Sequence, residues 1–468
     1  MGKTTTHPKP TEGPALVEDL ARAVSALAAK RPGEAAGICE DILAHQRDHP
    51  PALALLGRIL GLRGQLDRGL ALVEKAVALE PHTATYQQLL CNLYRLTYRF
   101  DDAVAAARRA VALDQKNPHI MFDLAKCLID RLDDEEALTA LLATLTRDAS
   151  NAEAHLAIGQ ILLARGEMKP GWAEYEWRNC MAMAKDRFPK IIAPIWNGMH
   201  LADRRLLLIS DQGFGDTIQF ARYIPMAADR CGGIAFACPS SLIGLMRGIP
   251  GIEQIESRWD RMPPHACHIL LSSLPMIFGT ELDTIPARIP YLGADPGDVA
   301  AWKERFDAIL LAGRRRVGLV WAGRATHPND RRRSMRLADL APLAAIGKVA
   351  FVSLQKPARA LDRLDIFPGL VDIATDLTDF AQTAAALMNL DLVITIDSAV
   401  AHLAGALGRP AWVLLPRPCD WRWMHEREDT PWYPSLRLFR QARPGDWAEV
   451  VDRVLAALRA VPERSLVG

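Results

Sequence analysis

Charge of one sign is missing from this 468-residue chain. Lys+Arg number 56 and Asp+Glu 55, a formal net charge of +1. A protein that grips nucleic acid over its whole surface would be far more basic, so that class is set aside. Paired cysteines are missing too. Cys39, Cys91, Cys127, Cys180, Cys231, Cys238, Cys267 and Cys419 are scattered, with no C-x-x-C among them. That excludes an evident zinc site or disulfide scaffold, and a reducing, cytoplasmic setting fits best. No uncharged apolar run reaches about 18 residues, so no transmembrane segment is expected. Met1 to Gly13 has no apolar stretch of a secretory signal. Its Gly-Lys-Thr start meets the lipidation pattern too loosely to predict an anchor. What is present is a globular balance, 50% hydrophobic and 24% charged. Such a length divides into about three folding units of roughly 100–170 residues.

A repeat dominates the first third. Small residues recur at Ala35, Gly69, Ala103, Ala137 and Gly171, each 34 residues after the last. Leu56, Leu90, Leu124 and Ile158 keep the same step, each followed by a small residue: Gly57, Cys91, Ala125 and Gly159. Small residues let two helices cross closely, and large apolar residues fill the space to the next hairpin. One hairpin cannot bury its apolar face alone, so stacked hairpins are expected over 15–180. Leu53-x-x-Leu56-Gly57-x-x-Leu60, then Gly69, Val73, Ala76 and Pro81, resembles the tetratricopeptide repeat family. Trp is absent from the first position, where Leu53, Gln87, Met121 and His155 stand. The resemblance implies a groove for an extended acceptor protein or peptide.

The helical period fades between Phe188 and Asp203, which reads as a linker or docking segment, 181–202. Trp172, Tyr175, Trp177 and Trp196 precede or lie in it, and packing onto the next domain is the expected role. The pattern then becomes strand, glycine loop, helix. The apolar run Arg205–Ser210 leads to Asp211-Gln212-Gly213-Phe214-Gly215-Asp216 and a helix from Thr217. Gly213 and Gly215 allow a tight turn and close approach of a ligand. The third glycine of a dinucleotide fingerprint is missing. Further strands are predicted at 233–238, 268–271, 316–323, 349–354, 392–396 and 411–415. Two α/β units follow, 203–300 and 311–468, joined by a linker near Leu292–Ala312.

Two clusters invite chemistry. The run 391–396 is a buried strand ending at Asp397-Ser398, and a small-residue helix carrying His402 follows at once. Ligands of open α/β sheets bind at the carboxyl ends of strands. The helix start and the Ser398 hydroxyl suit a diphosphate. Asp397 also suits a plain helix cap. From 314 to 336 stand eight arginines, with Asp330 the sole acid. Arg314–Arg316 read as solvated surface, and Arg331 and Arg333 as phosphate ligands. Asp420-Trp421-Arg422-Trp423 and Pro431-Trp432-Tyr433-Pro434 form an aromatic loop suited to wall a cleft or to pack, and no catalytic role is predicted there.

These motifs together resemble bacterial glycosyltransferases related to heptosyltransferases. They are Gln212–Tyr223, His327–Ser334, Ser353–Lys356 and Asp397–Gly405. The fusion is similar in layout to protein O-linked N-acetylglucosaminyltransferases. The resemblance implies an α-solenoid followed by a GT-B enzyme of two Rossmann-like units. It implies Asp216 as general base on an acceptor-side loop with Gln212, Gly213 and Gly215. It implies a nucleotide-sugar held by Arg331 or Arg333, Ser334, Gln355, Asp397, Ser398 and His402. No D-x-D spacing occurs anywhere, so no metal and no cofactor beyond the donor sugar is expected. The expected reaction moves a sugar to a hydroxyl, foremost a Ser or Thr of a protein such as flagellin. Extension of lipopolysaccharide and a non-catalytic scaffold with a decayed transferase stand as alternatives.

Overall fold

The computed structural model describes residues 14–181, 184, 187–356 and 364–460. The N-terminal segment expected to be flexible lies, but for Pro14, outside the described residues. Contacts divide the chain into two compact units, Met1–Ala154 and His155–Gly468.

Ten helices run from α1 to α10: Pro14–Ala28, Pro32–His45, Pro50–Leu62, Leu66–Leu79, Ala84–Leu96, Phe100–Leu113, Pro118–Arg131, Asp134–Leu145, Ala152–Arg165 and Met168–Tyr175. The even-numbered helices start at 34-residue intervals from Pro32 to Met168, as the repeat arithmetic predicts. The two small-residue registers face each other. A Cβ on Gly57 would lie 2.7 Å from the Gly69 carbonyl, and one on Gly69 would lie 2.7 Å from the Gly57 carbonyl. This helical pair therefore crosses at near backbone contact. Proline opens α2, α3 and α7, where a missing N–H costs nothing. Leu53, Leu56, Ile59 and Leu60 of α3 are buried between neighbouring hairpins.

The second unit opens with the end of α9 and with α10. Trp172, Tyr175 and Trp196 are buried in the same core as the first sheet, the packing role predicted for them. The Trp172 indole N–H donates to the Thr280 carbonyl at 2.9 Å. Trp177 stacks flat on His155 with centroids 3.9 Å apart.

The first sheet holds four parallel strands: β1 Arg205–Ile209, β2 Gly233–Ala237, β3 Ile252–Glu256 and β4 Cys267–Leu270, in the order β3-β2-β1-β4. The segment just before it is no free linker. Trp196 N–H donates to the His268 carbonyl at 2.8 Å, extending the β4 edge. The second sheet has six parallel strands: β5 Arg315–Val320, β6 Val349–Ser353, β7 Val371–Asp372, β8 Leu392–Ile396, β9 Ala411–Leu415 and β10 Leu436–Arg440. Their order is β10-β9-β8-β5-β6-β7. All five residues of β2, β6, β8 and β9 are buried, as covered parallel strands require. Strands β3, β7 and β10 escaped the sequence reading; each sits at a sheet edge and alternates or mixes burial. The Leu292–Ala312 stretch, read as linker, holds a 14-residue helix, Pro296–Ile309. Asp295 caps it, accepting from the Gly297 and Asp298 N–H groups. This proline-started, charge-rich helix buries only Trp302 and Phe306, so its apolar period is faint. No helix among the described residues is long and apolar enough to cross a membrane.

Candidate active site

Helix α11, Phe214–Phe220, leaves the carboxyl end of β1 after the Ser210–Gly213 loop. The loop is braced from within. The Ser210 and Thr217 hydroxyls meet at 2.6 Å, and Asp211 accepts from the Ser272 N–H at 3.1 Å. Asp216 sits in the first turn, and its Oδ2 accepts from the Gly213 N–H at 2.8 Å. Gln212 reaches the Tyr175 hydroxyl of α10, within 3.0 Å. Gly215 is also a point of close packing. A Cβ there would lie 2.7 Å from His402 Cδ2 and 3.5 Å from Ala399 Cα. Those atoms belong to the second sheet's layer, so this glycine lets the two α/β halves touch.

The Ala399–Ala406 helix, here α12, follows β8. Its cap is Ser398, not Asp397: Ser398 Oγ accepts from the Val400 N–H at 3.2 Å and lies 2.9 Å from the Thr395 hydroxyl. Asp397 is half-buried at the strand's end. His402 is buried. Its Nδ1 lies 3.0 Å from the Tyr433 hydroxyl, and its ring stacks on Trp423 at 5.4 Å.

At the carboxyl end of β5 the predicted ligands separate. Arg333 folds over Gly323, where a Cβ would lie 2.7 Å from its Nη2. Its Nε is buried and has no hydrogen-bond partner among the described residues. Arg331 is exposed. Ser334 and Gln355 brace the same loop. Ser334 Oγ accepts from the Gly323 N–H at 2.9 Å and donates to Asp330 at 2.7 Å. Gln355 Oε1 accepts from the Trp321 and Ala322 N–H groups, and its Nε2 donates to the Ala322 carbonyl. Both side chains brace the strand exit through these bonds.

A residue given no role beforehand joins the parts. Arg422, in the 3-10 turn Trp421–Trp423 beyond β9, is buried. It pairs with Asp216 Oδ1. It also donates to Gln219 Oε1 at 2.7 Å and to Asp420 Oδ1 at 2.9 Å. The available signal was an arginine between two tryptophans, with an aspartate just before them, past the carboxyl end of a parallel strand.

Burial sets the electrostatics. It raises the Asp216 carboxyl, against the pull of Arg422. It raises Asp397 to about 6, with Asp420 adding to the rise and Arg333 opposing it. Burial first, and the nearby Arg422 next, lower His402 to about 3. Asp420 itself is lowered, because Arg422 outweighs its burial. Asp216, Asp397, His402, Arg333, Asp420 and Arg422 thus form one electrostatic cluster at the carboxyl ends of both sheets. Such an edge is where open parallel sheets bind ligands.

Known proteins match both parts of the chain. The tetratricopeptide repeat family matches residues 26–93 and 97–161. Glycosyltransferase family 9 (heptosyltransferase) matches 361–414, a stretch that includes Asp397, Ser398 and His402. Protein FlbA of Caulobacter vibrioides is 30% identical over 329 residues, covering 64% of this chain and 54% of FlbA. The chain thus spans about half the length of the curated relative it matches. Among solved structures, a MamA is 21% identical and covers 35% of this chain and 95% of its own, with a TM-score of 0.31. A thermophilic repeat protein of Thermus thermophilus is 19% identical and covers 36% and 93%, with a TM-score of 0.33. The chain thus joins tetratricopeptide repeats to an α/β region that carries a heptosyltransferase-type match over 361–414.

Proposed function

We propose that this chain is a glycosyltransferase using a nucleotide-diphosphate sugar, with a protein Ser or Thr hydroxyl as acceptor. The observation that carries the reading is the meeting of Asp216, from the first sheet, with Arg333, Asp397 and His402, from the second, in one cluster at the strand ends. The heptosyltransferase match over 361–414 supports it.

Asp216 takes the proton of the acceptor hydroxyl as its oxygen attacks the anomeric carbon. The bond between that carbon and the phosphate oxygen breaks, and the nucleoside diphosphate leaves with the electron pair. Arg333 and the N–H groups opening α12 meet the leaving charge. Asp397 suits sugar or ribose hydroxyls, since a carboxylate repels phosphate. His402, neutral at physiological pH, offers a fixed polar contact. The arginines and the missing D-x-D motivate metal independence. Activity lost to a chelator and restored by Mg²⁺ or Mn²⁺ would sink that point.

The fused repeats motivate the protein acceptor, and flagellin is one protein of the expected kind. The test incubates the full chain with radiolabelled UDP-, GDP-, ADP- and CMP-sugars, a cell lysate and a lipid fraction. Label in protein, lost in Asp216→Asn, is expected. Label in lipid or oligosaccharide alone would replace the protein acceptor with a glycan. No release of nucleotide from any donor would favour a non-catalytic scaffold.

A further inference from the structure

Arg422 reaches several of the groups around Asp216. Beyond its pairs with Asp216, Asp420 and Gln219, its Nη2 lies 3.4 Å from the Tyr175 hydroxyl. Its guanidinium lies 4.3 Å from the centre of the Trp421 ring. Its own loop fixes it in advance: Asp420 Oδ1 accepts from both the Arg422 backbone N–H, at 3.0 Å, and the guanidinium. The side chain is 7% exposed, whereas Asp216 is 23% exposed. The arginine is therefore the buried anchor and the aspartate the end that faces outward. Asp216 is gripped at both oxygens, Oδ2 by the Gly213 N–H of its own half and Oδ1 by Arg422 of the other.

We infer that Arg422 is a positioning residue that aims Asp216 and keeps it ionised from across the boundary between the two sheets. The inference rests on Asp216 being the base. The charged and titratable groups facing Asp216 are Asp211 on its own loop, Tyr175 of α10, and Asp420 and Arg422 of the 3-10 turn. His402 of α12 lies against the neighbouring Gly215. Asp211 has its own partner in Arg178, 3.5 Å away, and Arg422 is the cation that offsets Asp420 beside Asp216. Without it, Asp216 faces Asp420 unshielded and holds its proton to higher pH. The second half, which binds the donor, thereby supplies the group that readies the base in the first.

The experiment titrates full-length protein labelled with ¹³C at aspartate Cγ, taking as Asp216 the resonance missing from Asp216→Asn. In parallel it follows nucleotide release from the sugar panel between pH 5 and 9. Arg422→Gln is expected to raise the Asp216 midpoint by about one to three units, the usual effect of a neighbouring cation. Release then falls on the acid side of the raised midpoint and recovers toward pH 9. Arg422→Lys, which keeps the charge but not the fork, restores the midpoint in part. Should Arg422→Gln fail to fold, Asp420→Asn reads the same balance with the opposite sign, moving the midpoint down. An unmoved midpoint, or a loss equal at every pH, overturns the inference while leaving the base intact. Wild-type turnover by Asp216→Asn overturns the base itself, and the inference with it.

Discussion

Asp397 and His402 stand on the same strand-to-helix junction, and burial drives them in opposite directions, to about 6 and about 3. The consequences for stability carry opposite signs. The unfolded chain protonates His402 near pH 6.5, whereas the folded protein resists down to about 3. Stability from this group is therefore complete above 6.5 and is lost as pH falls toward 3. Asp397 is protonated more readily when folded, so it contributes on acidification from about 6 toward 4. In denaturant titrations at pH 7 and pH 5, the advantage of wild type over His402→Asn should shrink by roughly 1 kcal/mol per pH unit below 6.5. A constant gap would mean that His402 titrates freely. Because its ring is neutral at pH 7, no limb of the rate profile near 6.5 should vanish in that variant. Asp216, Asp397 and His402 were legible because each sits within a contiguous motif. Arg422 was not, because its partner Asp216 lies 206 residues away in the chain. Only the folded juxtaposition gives it meaning.

At the scale of elements, helices α11 and α12 meet through a glycine. Gly215→Ala would place a methyl 2.7 Å from the His402 ring. Overpacking of this kind typically costs about 1–3 kcal/mol. The variant should lower the denaturation midpoint and weaken donor binding together, because the ring it displaces belongs to the proposed donor site. Unaltered stability and affinity would show that the two helices can part freely. The same principle governs the repeats, where Gly57 and Gly69 face each other's carbonyls. Repeat period and buried strands were read directly, since 34-residue spacing and apolar runs are strong one-dimensional signals. Edge strands β3 and β10 and the Pro296–Ile309 helix were not. Each buries only part of its length, so its pattern blends with that of a loop. Ser334 and Gln355, named from a family motif, hydrogen-bond within the folded loop, to its backbone and to Asp330.

For the whole molecule, contacts divide the chain at Ala154, and the proposed function assigns recruitment to the first unit and chemistry to the second. If the repeats deliver a protein acceptor, removing residues 14–154 should cut protein labelling tenfold or more. Nucleotide release to water should persist. Equal losses in both would tie the repeats to the stability of the second unit. The claim at the centre is a nucleotide-sugar site whose phosphates rest on Arg333. The most direct measurement is a thermal-shift titration of the full chain with UDP, GDP, ADP and CMP, repeated in Arg333→Ala and Arg331→Ala. At about 100 times Kd a ligand stabilises the folded state by roughly 2.7 kcal/mol. One nucleotide should shift wild type and Arg331→Ala by several degrees and leave Arg333→Ala unmoved. A shift that survives in Arg333→Ala, or none with any nucleotide, would contradict the account.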